Sequence, residues 1–154
     1  MRTLGLDLGS VRIGVALSNS EGTVAVPYQV VTRSKDRSGD HRKIAALVAE
    51  AEAECVVVGM PYSLDGSIGP AARRAQAEIK LLRRVLSVPV ETYDERFTTV
   101  TADRSLREMN LGAAERRKMV DSVAASIILQ GWLDSRLSEL SADVNANKLK
   151  DDQQ

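Results

Sequence analysis

The chain contains a single cysteine and lacks long hydrophobic runs. Cys55 lies within an apolar segment, so it cannot form an internal disulfide and is expected to be buried in the core. No apolar run approaches the ~20 residues that a membrane-spanning helix needs. A strand pattern begins directly at Arg2, without a secretion signal. These absences predict a cytoplasmic protein that does not associate with membranes.

The chain also lacks net charge. Its 21 Lys and Arg residues balance 21 Asp and Glu residues, which at first argues against a nucleic-acid partner. The basic residues are mostly arginine, however, which suits contacts with phosphate, and they are clustered. For any single cluster, the simpler interpretation is a solvated helix surface. A fold that gathers several clusters on one side would create a local basic field in spite of zero net charge. The clusters are Arg33, Lys35 and Arg37, then Arg42-Lys43, Arg73-Arg74, Arg83-Arg84 and Arg116-Arg117-Lys118.

Hydrophobic periodicity predicts one domain without internal repeats. The first three predicted strands form an antiparallel meander, and the later alternation of helix and strand indicates parallel strands. Pro27 places the third strand at an edge of the sheet or at a bulge, because proline cannot donate to a ladder. We therefore expect an α/β fold over residues 1–140, a mixed five-stranded sheet with helices on both faces, and a disordered tail over 141–154. The predicted strands are 2–8, 12–18, 23–31, 55–59 and 88–93, and the predicted helices are 39–53, 70–86, 99–109 and one from within 114–121 to about 140.

Three carboxylates occupy unusual positions in this pattern. Asp7 lies inside the first strand, Glu95 follows the fifth, and Asp121 heads an inward-facing helical stripe that includes Trp132. Ligand sites of α/β sheets lie at the carboxyl ends of strands, so Asp7 and Glu95 are expected at the same end. Three acids in one pocket repel each other unless a cation joins them, and such oxygen ligands suit Mg²⁺ or Mn²⁺. Metal ions held in this way activate water and stabilise the leaving oxygen of a phosphodiester, so the pattern favours a metal-dependent nuclease.

Each acid also has a simpler interpretation. Asp7 could form a turn or pair with Arg12, and Glu95 could be a surface residue that follows a strand. Asp121 could be an acid at a helix N-terminus, where the helix dipole favours negative charge. Periodicity alone does not exclude these three alternatives together.

Four segments, in order and at their spacing, resemble a known family. They are Asp7–Ala16 (DLGSVRIGVA), Gly59-Met60-Pro61 with Asp65-Gly66, Asp94–Thr99 (DERFTT) and Asp121–Gln130 (DSVAASIILQ). Together they resemble the YqgF (RuvX-like) family of the ribonuclease H-like superfamily, over about residues 2–137. The resemblance implies a ribonuclease H-like fold and an Asp, Glu, Asp site for Mg²⁺ or Mn²⁺, which carries over to Asp7, Glu95 and Asp121. Met60 and Phe97 stand where the family often has leucine, which leaves this chemistry unchanged.

The resemblance also implies a function. The family is linked to maturation of the 5′ end of pre-16S ribosomal RNA, and it was also proposed to resolve Holliday junctions. The expected partners are therefore pre-16S rRNA or branched DNA, together with ribosomal precursor particles. A processing nuclease can act as a monomer, whereas a resolvase should be a two-fold homodimer. A non-catalytic RNA-binding or assembly module would need no carboxylate triad, and a phosphotransferase of the sugar-kinase kind would need a second domain.

Three further residues are candidates for nucleic-acid binding. Arg12 and Arg96 could bind phosphates, or each could form a structural salt bridge, Arg96 with Asp94 or Glu91; the two interpretations carry equal weight. Tyr62, in a loop beside the strand ends, is the best candidate for stacking on a base.

The remaining expectations concern small and isolated residues. Gly5 and Gly14 lie inside strands, which indicates close approach by another backbone or by a ligand such as a metal-bound phosphate. His41 lies at a polar junction between a loop and a helix; it is expected to be solvated and has no assigned role. Trp132 is expected in the core.

Overall fold

The five strands form a single mixed sheet. The protein is represented by a computed structural model that describes residues 1–98 and 114–151, with side chains described over 1–98 and 119–151. The strand order is β3-β2-β1-β4-β5; β1, β2 and β3 are antiparallel neighbours, and β4 runs parallel to both β1 and β5. This confirms the predicted α/β class and the arrangement of its strands. The strands are β1 (Thr3–Leu8), β2 (Arg12–Ser18), β3 (Ala25–Thr32), β4 (Cys55–Met60) and β5 (Val90–Asp94).

The positions of the strands follow from their sequences. All six residues of β4 are buried, as its continuous apolar run predicts for a central parallel strand. Strand β3 lies at the edge of the sheet, and its pairing with β2 shifts register between Val15 and Ala16, where Pro27 pairs with Ala16. Both consequences expected of this proline are therefore present.

Helices cover both faces of the sheet, as predicted. Helices α1 (Arg37–Glu50) and α2 (Pro70–Val85) pack on the face to which Leu4, Leu6 and Val58 point. Helix α3 (Ala114–Asp151) covers the opposite face, where its buried side chains pack against Ala16, Cys55 and Val57. The predicted helix over residues 99–109 lies outside the described residues.

Two strand glycines allow α3 to lie close to the sheet. A Cβ atom on Gly5 would lie 2.7 Å from the Cβ atom of Leu129, and a Cβ atom on Gly14 would overlap the backbone carbonyl of Asp121. The expected close approach is therefore real, but at both positions the approaching group is the last helix rather than a ligand. The small residues at these positions fix where Asp121 sits relative to the sheet.

The last helix continues past its predicted end. It runs to Asp151, so residues 141–151 are helical where the sequence analysis expected a disordered tail. From Asp134 to Asp151 the segment contains no glycine or proline to end the helix, and all its side chains are exposed. The domain limit at residue 140 remains a prediction. No helix in residues 1–98 and 114–151 is both long enough and apolar enough to cross a membrane.

Candidate active site

Asp7 and Glu95 converge at one edge of the sheet. Strands β1 and β5 both run parallel to β4, which lies between them, so their carboxyl ends point the same way. Asp7 is near the end of β1 and only 4% exposed. Glu95 directly follows β5 in a short 3-10 helix, Glu95–Phe97, and folds back so that its Oε1 would be 2.6 Å from a Cβ atom on Gly59 of β4. Both acids line one cavity of about 440 Å³.

Asp121 reaches the same region from the helix. It lies about two turns after Ala114, which removes the interpretation of Asp121 as an acid at the helix N-terminus. It is 5% exposed, and its backbone packs on Gly14, the cross-strand partner of Asp7. Its Oδ2 accepts a hydrogen bond of 2.5 Å from Nε of Arg12. Asp121 is not among the residues that line the cavity shared by Asp7 and Glu95.

The donor set suits a hard cation in part. Burial raises the pKa of Glu95, and the neighbouring charge of Asp94 raises it further, so ionised Glu95 would be stabilised by a cation. Carboxylate oxygens of Asp7 and Glu95 on one cavity are the ligand type that Mg²⁺ or Mn²⁺ prefers. Within the described part of the chain, however, no three acids, histidines or cysteines are grouped closely enough to hold a metal ion. Asp121 is instead paired with Arg12.

A buried network of charged residues, two of which line the same cavity, lies beside these acids. Arg33 donates from Nε to the carbonyl oxygen of Gly9 at 2.7 Å, in the turn that follows Asp7, and from Nη1 and Nη2 to both oxygens of Glu78 at 2.8 Å. Nε2 of His41 lies 2.9 Å from Oε1 of Glu78. Burial alone would raise the pKa of Glu78, but the hydrogen bonds with Arg33 and His41 outweigh it and lower that pKa. The network therefore ties α1, α2 and the β1–β2 turn together.

The network corrects one prediction and shows what the sequence analysis missed. His41 was expected to be solvated, but it is only 2% exposed because α1 packs it against Glu78 of α2. The signal for this lies in α2, where Glu78 is the single acid on the face formed by Ala75, Ile79 and Leu82. An acid at an apolar helical position requires a partner, and His41 is the single histidine in the chain.

The three residues predicted to bind nucleic acid lie around the site in different ways. Arg12 is engaged with Asp121, as described above. Arg96 donates to Asp94 from Nε at 3.0 Å and from Nη2 at 2.5 Å, which is the structural salt bridge that the sequence analysis considered. The Arg96 guanidinium also lies 5.7 Å from the ring centroid of Tyr62, which is half-buried against the core. None of the three lines the cavity, and their role in nucleic-acid binding remains a prediction.

Comparison with known proteins identifies the family. The family model described as "RuvX: Holliday junction resolvase" matches residues 1–135. The chain belongs to the RuvX family. Curated relatives of this RuvX chain are named "Putative pre-16S rRNA nuclease". One from Rhodococcus opacus is 48% identical, with 99% of this chain and 86% of the relative covered, and one from Rhodococcus erythropolis is 50% identical, with 88% and 78% covered. One from Mycobacterium tuberculosis is 48% identical, with 91% and 82% covered.

Solved structures of RuvC share the fold of this RuvX chain. The RuvC protein of T. thermophilus, solved in complex with a Holliday junction substrate, matches with a TM-score of 0.55 at 17% identity, covering 90% of this chain and 96% of RuvC. A second Thermus thermophilus RuvC structure matches with a TM-score of 0.51 at 15% identity, covering 90% of this chain and 97% of RuvC. At these identities the likeness shows the fold alone, which is the predicted ribonuclease H-like fold.

Proposed function

We propose that this protein is a metal-dependent nuclease that hydrolyses phosphodiester bonds of RNA, and that its substrate is the 5′ end of pre-16S rRNA in the cytoplasm. The observation that carries the proposal is the convergence of Asp7 and Glu95 on one cavity, with Asp121 packed against the strand next to Asp7. The name of the curated relatives supports the choice of RNA.

Asp7, Glu95 and Asp121 would hold Mg²⁺ or Mn²⁺. When bound, the cation supplies an activated water and neutralises charge on the leaving oxygen. Asp121 would belong to this ligand set only if its Oδ2 parted from Nε of Arg12, and the Arg12 guanidinium would then be available for a phosphate of the substrate. Arg33 holds the carbonyl of Gly9, and this contact fixes the end of β1 and the position of Asp7 two residues earlier.

The test is a cleavage assay with wild type and Asp7→Asn, Glu95→Gln and Asp121→Asn variants in Mg²⁺ or Mn²⁺. We expect each variant to lose at least about 10²-fold in rate, because each removes one charged ligand of the ion. Glu91→Gln is the matched control for Glu95→Gln, since Glu91 is an exposed acid of β5, the strand that Glu95 follows, and it does not line this cavity. Cleavage by Asp7→Asn at the wild-type rate would refute the proposal.

Resolution of Holliday junctions is the second candidate, favoured by the description of the family model. Running pre-16S rRNA and a four-way DNA junction side by side decides between the two substrates. Paired symmetric cuts in the junction by a homodimer would select the resolvase, and a cut in the rRNA alone would select the processing nuclease. RNA binding with no cleavage of either substrate would leave an RNA-binding or assembly role.

A further inference from the structure

The cavity beside the acids has two arginines whose charges are not neutralised by the described acids. Arg33 also lines the cavity, but its guanidinium is bound by both oxygens of Glu78. Arg37 and Arg74 line the cavity and are exposed, and their side chains form no ion pair or hydrogen bond with a residue of the described ranges. By contrast, Arg12 and Arg96, the arginines that the sequence favoured for phosphate binding, are both engaged in ion pairs.

The two helices that carry these arginines are joined by the buried network described above. Arg37 lies four residues before His41 on α1, and Arg74 lies four residues before Glu78 on α2. Residues four apart on a helix are neighbours on one face. His41 and Glu78 contact each other at 2.9 Å, so the two helices are joined one turn below the two arginines. The helix positions of the arginine pair, Arg37 and Arg74, are therefore linked through this buried contact.

We propose that the arginine pair, Arg37 and Arg74, binds backbone phosphates of the nucleic acid next to the phosphodiester that Asp7 and Glu95 address. The inference rests on the proposed function for the identity of the substrate. Arginine suits this role because its planar guanidinium donates two parallel hydrogen bonds to a phosphate. Such contacts are independent of base sequence, so the arginine pair positions the strand and does not select the sequence.

The chain offers a matched control for each arginine. Arg73 is next to Arg74 on α2, exposed and outside the cavity, and Lys35 stands two residues before Arg37 with the same properties. Replacing any of the four by glutamine removes one positive charge from the surface. Only Arg37→Gln and Arg74→Gln remove it from the cavity wall, so a difference between the pairs reports position and not net charge.

Binding is measured without turnover, by fluorescence anisotropy in an Asp7→Asn background across a series of KCl concentrations. The probes are a labelled single-stranded RNA and a labelled four-way DNA junction. We expect Arg37→Gln and Arg74→Gln each to weaken binding on the order of tenfold for whichever of the two probes the protein binds. For the RNA, each should lower the slope of log affinity against log salt by about 0.7. Arg73→Gln and Lys35→Gln should bind as the parent does.

The proposal is overturned if each cavity variant weakens binding no more than its control does, that is, if Arg74→Gln equals Arg73→Gln and Arg37→Gln equals Lys35→Gln. It is also overturned if neither probe binds. Its failure is distinguishable from failure of the nuclease. Cleavage that depends on Asp7 but not on Arg37 or Arg74 removes only the arginine pair. Selective loss of binding in these two variants, with no cleavage by wild type, supports the arginine pair and removes the nuclease. In an active enzyme the two variants should raise KM and leave kcat nearly unchanged.

Discussion

The contact between Gly59 and Glu95 offers the sharpest test of the site. In Gly59→Ala the new Cβ atom would lie 2.6 Å from Oε1 of Glu95 and 2.8 Å from Cδ1 of Ile128. An ordinary contact begins at 3.4 Å, so the carboxylate must move by about 0.8 Å. A displacement of about 1 Å in a catalytic group costs about 10²-fold in rate. Both displaced atoms are ends of side chains, so the cost in stability should be near the lower limit for overpacking, about 1 kcal/mol.

Gly39→Ala is the matched control. Its Cβ atom would also lie 2.6 Å from a carboxylate oxygen, Oδ2 of Asp36, but that side chain is exposed and is not one of those that line the cavity. Thermal unfolding should place Gly59→Ala within about 4 °C of wild type. Cleavage of pre-16S rRNA, measured where both variants are folded, should fall about 10²-fold in Gly59→Ala and stay unchanged in Gly39→Ala. Wild-type kcat in Gly59→Ala would show that cleavage does not depend on where Glu95 is held.

Three further predictions follow from the charged contacts and from the exposed end of α3. Arg12→Gln should lower the free energy of unfolding by about 1–3 kcal/mol, because Asp121 loses its counterion. For the same reason, added Mn²⁺ should raise the Tm of this variant more than that of wild type, and equal Tm shifts in differential scanning fluorimetry would contradict this. Glu78→Gln should lower the free energy of unfolding by about 3 kcal/mol at pH 7. Since the folded-state pKa of Glu78 lies below its ordinary value of 4.5, this difference from wild type should be full above pH 4.5 and should shrink as the pH falls through the folded-state pKa. A difference that stays constant with pH in urea unfolding would contradict this. Deletion of residues 141–154 should change stability by no more than about 0.5 kcal/mol, because residues 141–151 are exposed; a larger loss in urea unfolding would show that the tail packs on the domain.

Local patterns were sufficient to predict the sheet and the end of it that carries the acids. The continuous apolar run of β4 and the alternation of strands and helices predicted the parallel part of the sheet, and the proline of β3 predicted an edge position or a bulge for that strand. Asp7 and Glu95 were expected together because the carboxyl ends of parallel strands share an edge, and the structure places both on one cavity. These inferences use rules that act over a few residues or over a single crossover.

Contacts between distant segments could not be predicted in the same way. Arg12 and Asp121 are 109 positions apart, and their pairing depends on how closely α3 approaches β2 at Gly14. The partners of Arg33 depend on the packing of α2 beneath the β1–β2 turn, which no periodicity specifies. Arginine-rich clusters looked alike in the sequence, and only the packing separates Arg74, on the cavity, from its neighbour Arg73.

The placement of Asp121 on the last helix has a consequence for synthesis of the protein. The chain leaves the ribosome N-terminus first, so all five strands emerge before α3. Until α3 docks, the sheet exposes Ala16, Cys55 and Val57 and holds only two of the three proposed ligands. Completion of the proposed site thus coincides with burial of that apolar face. Under the proposed function, a nascent chain would therefore be inert while it emerges beside ribosomal RNA, and it would become competent to cut only when its own folding is complete.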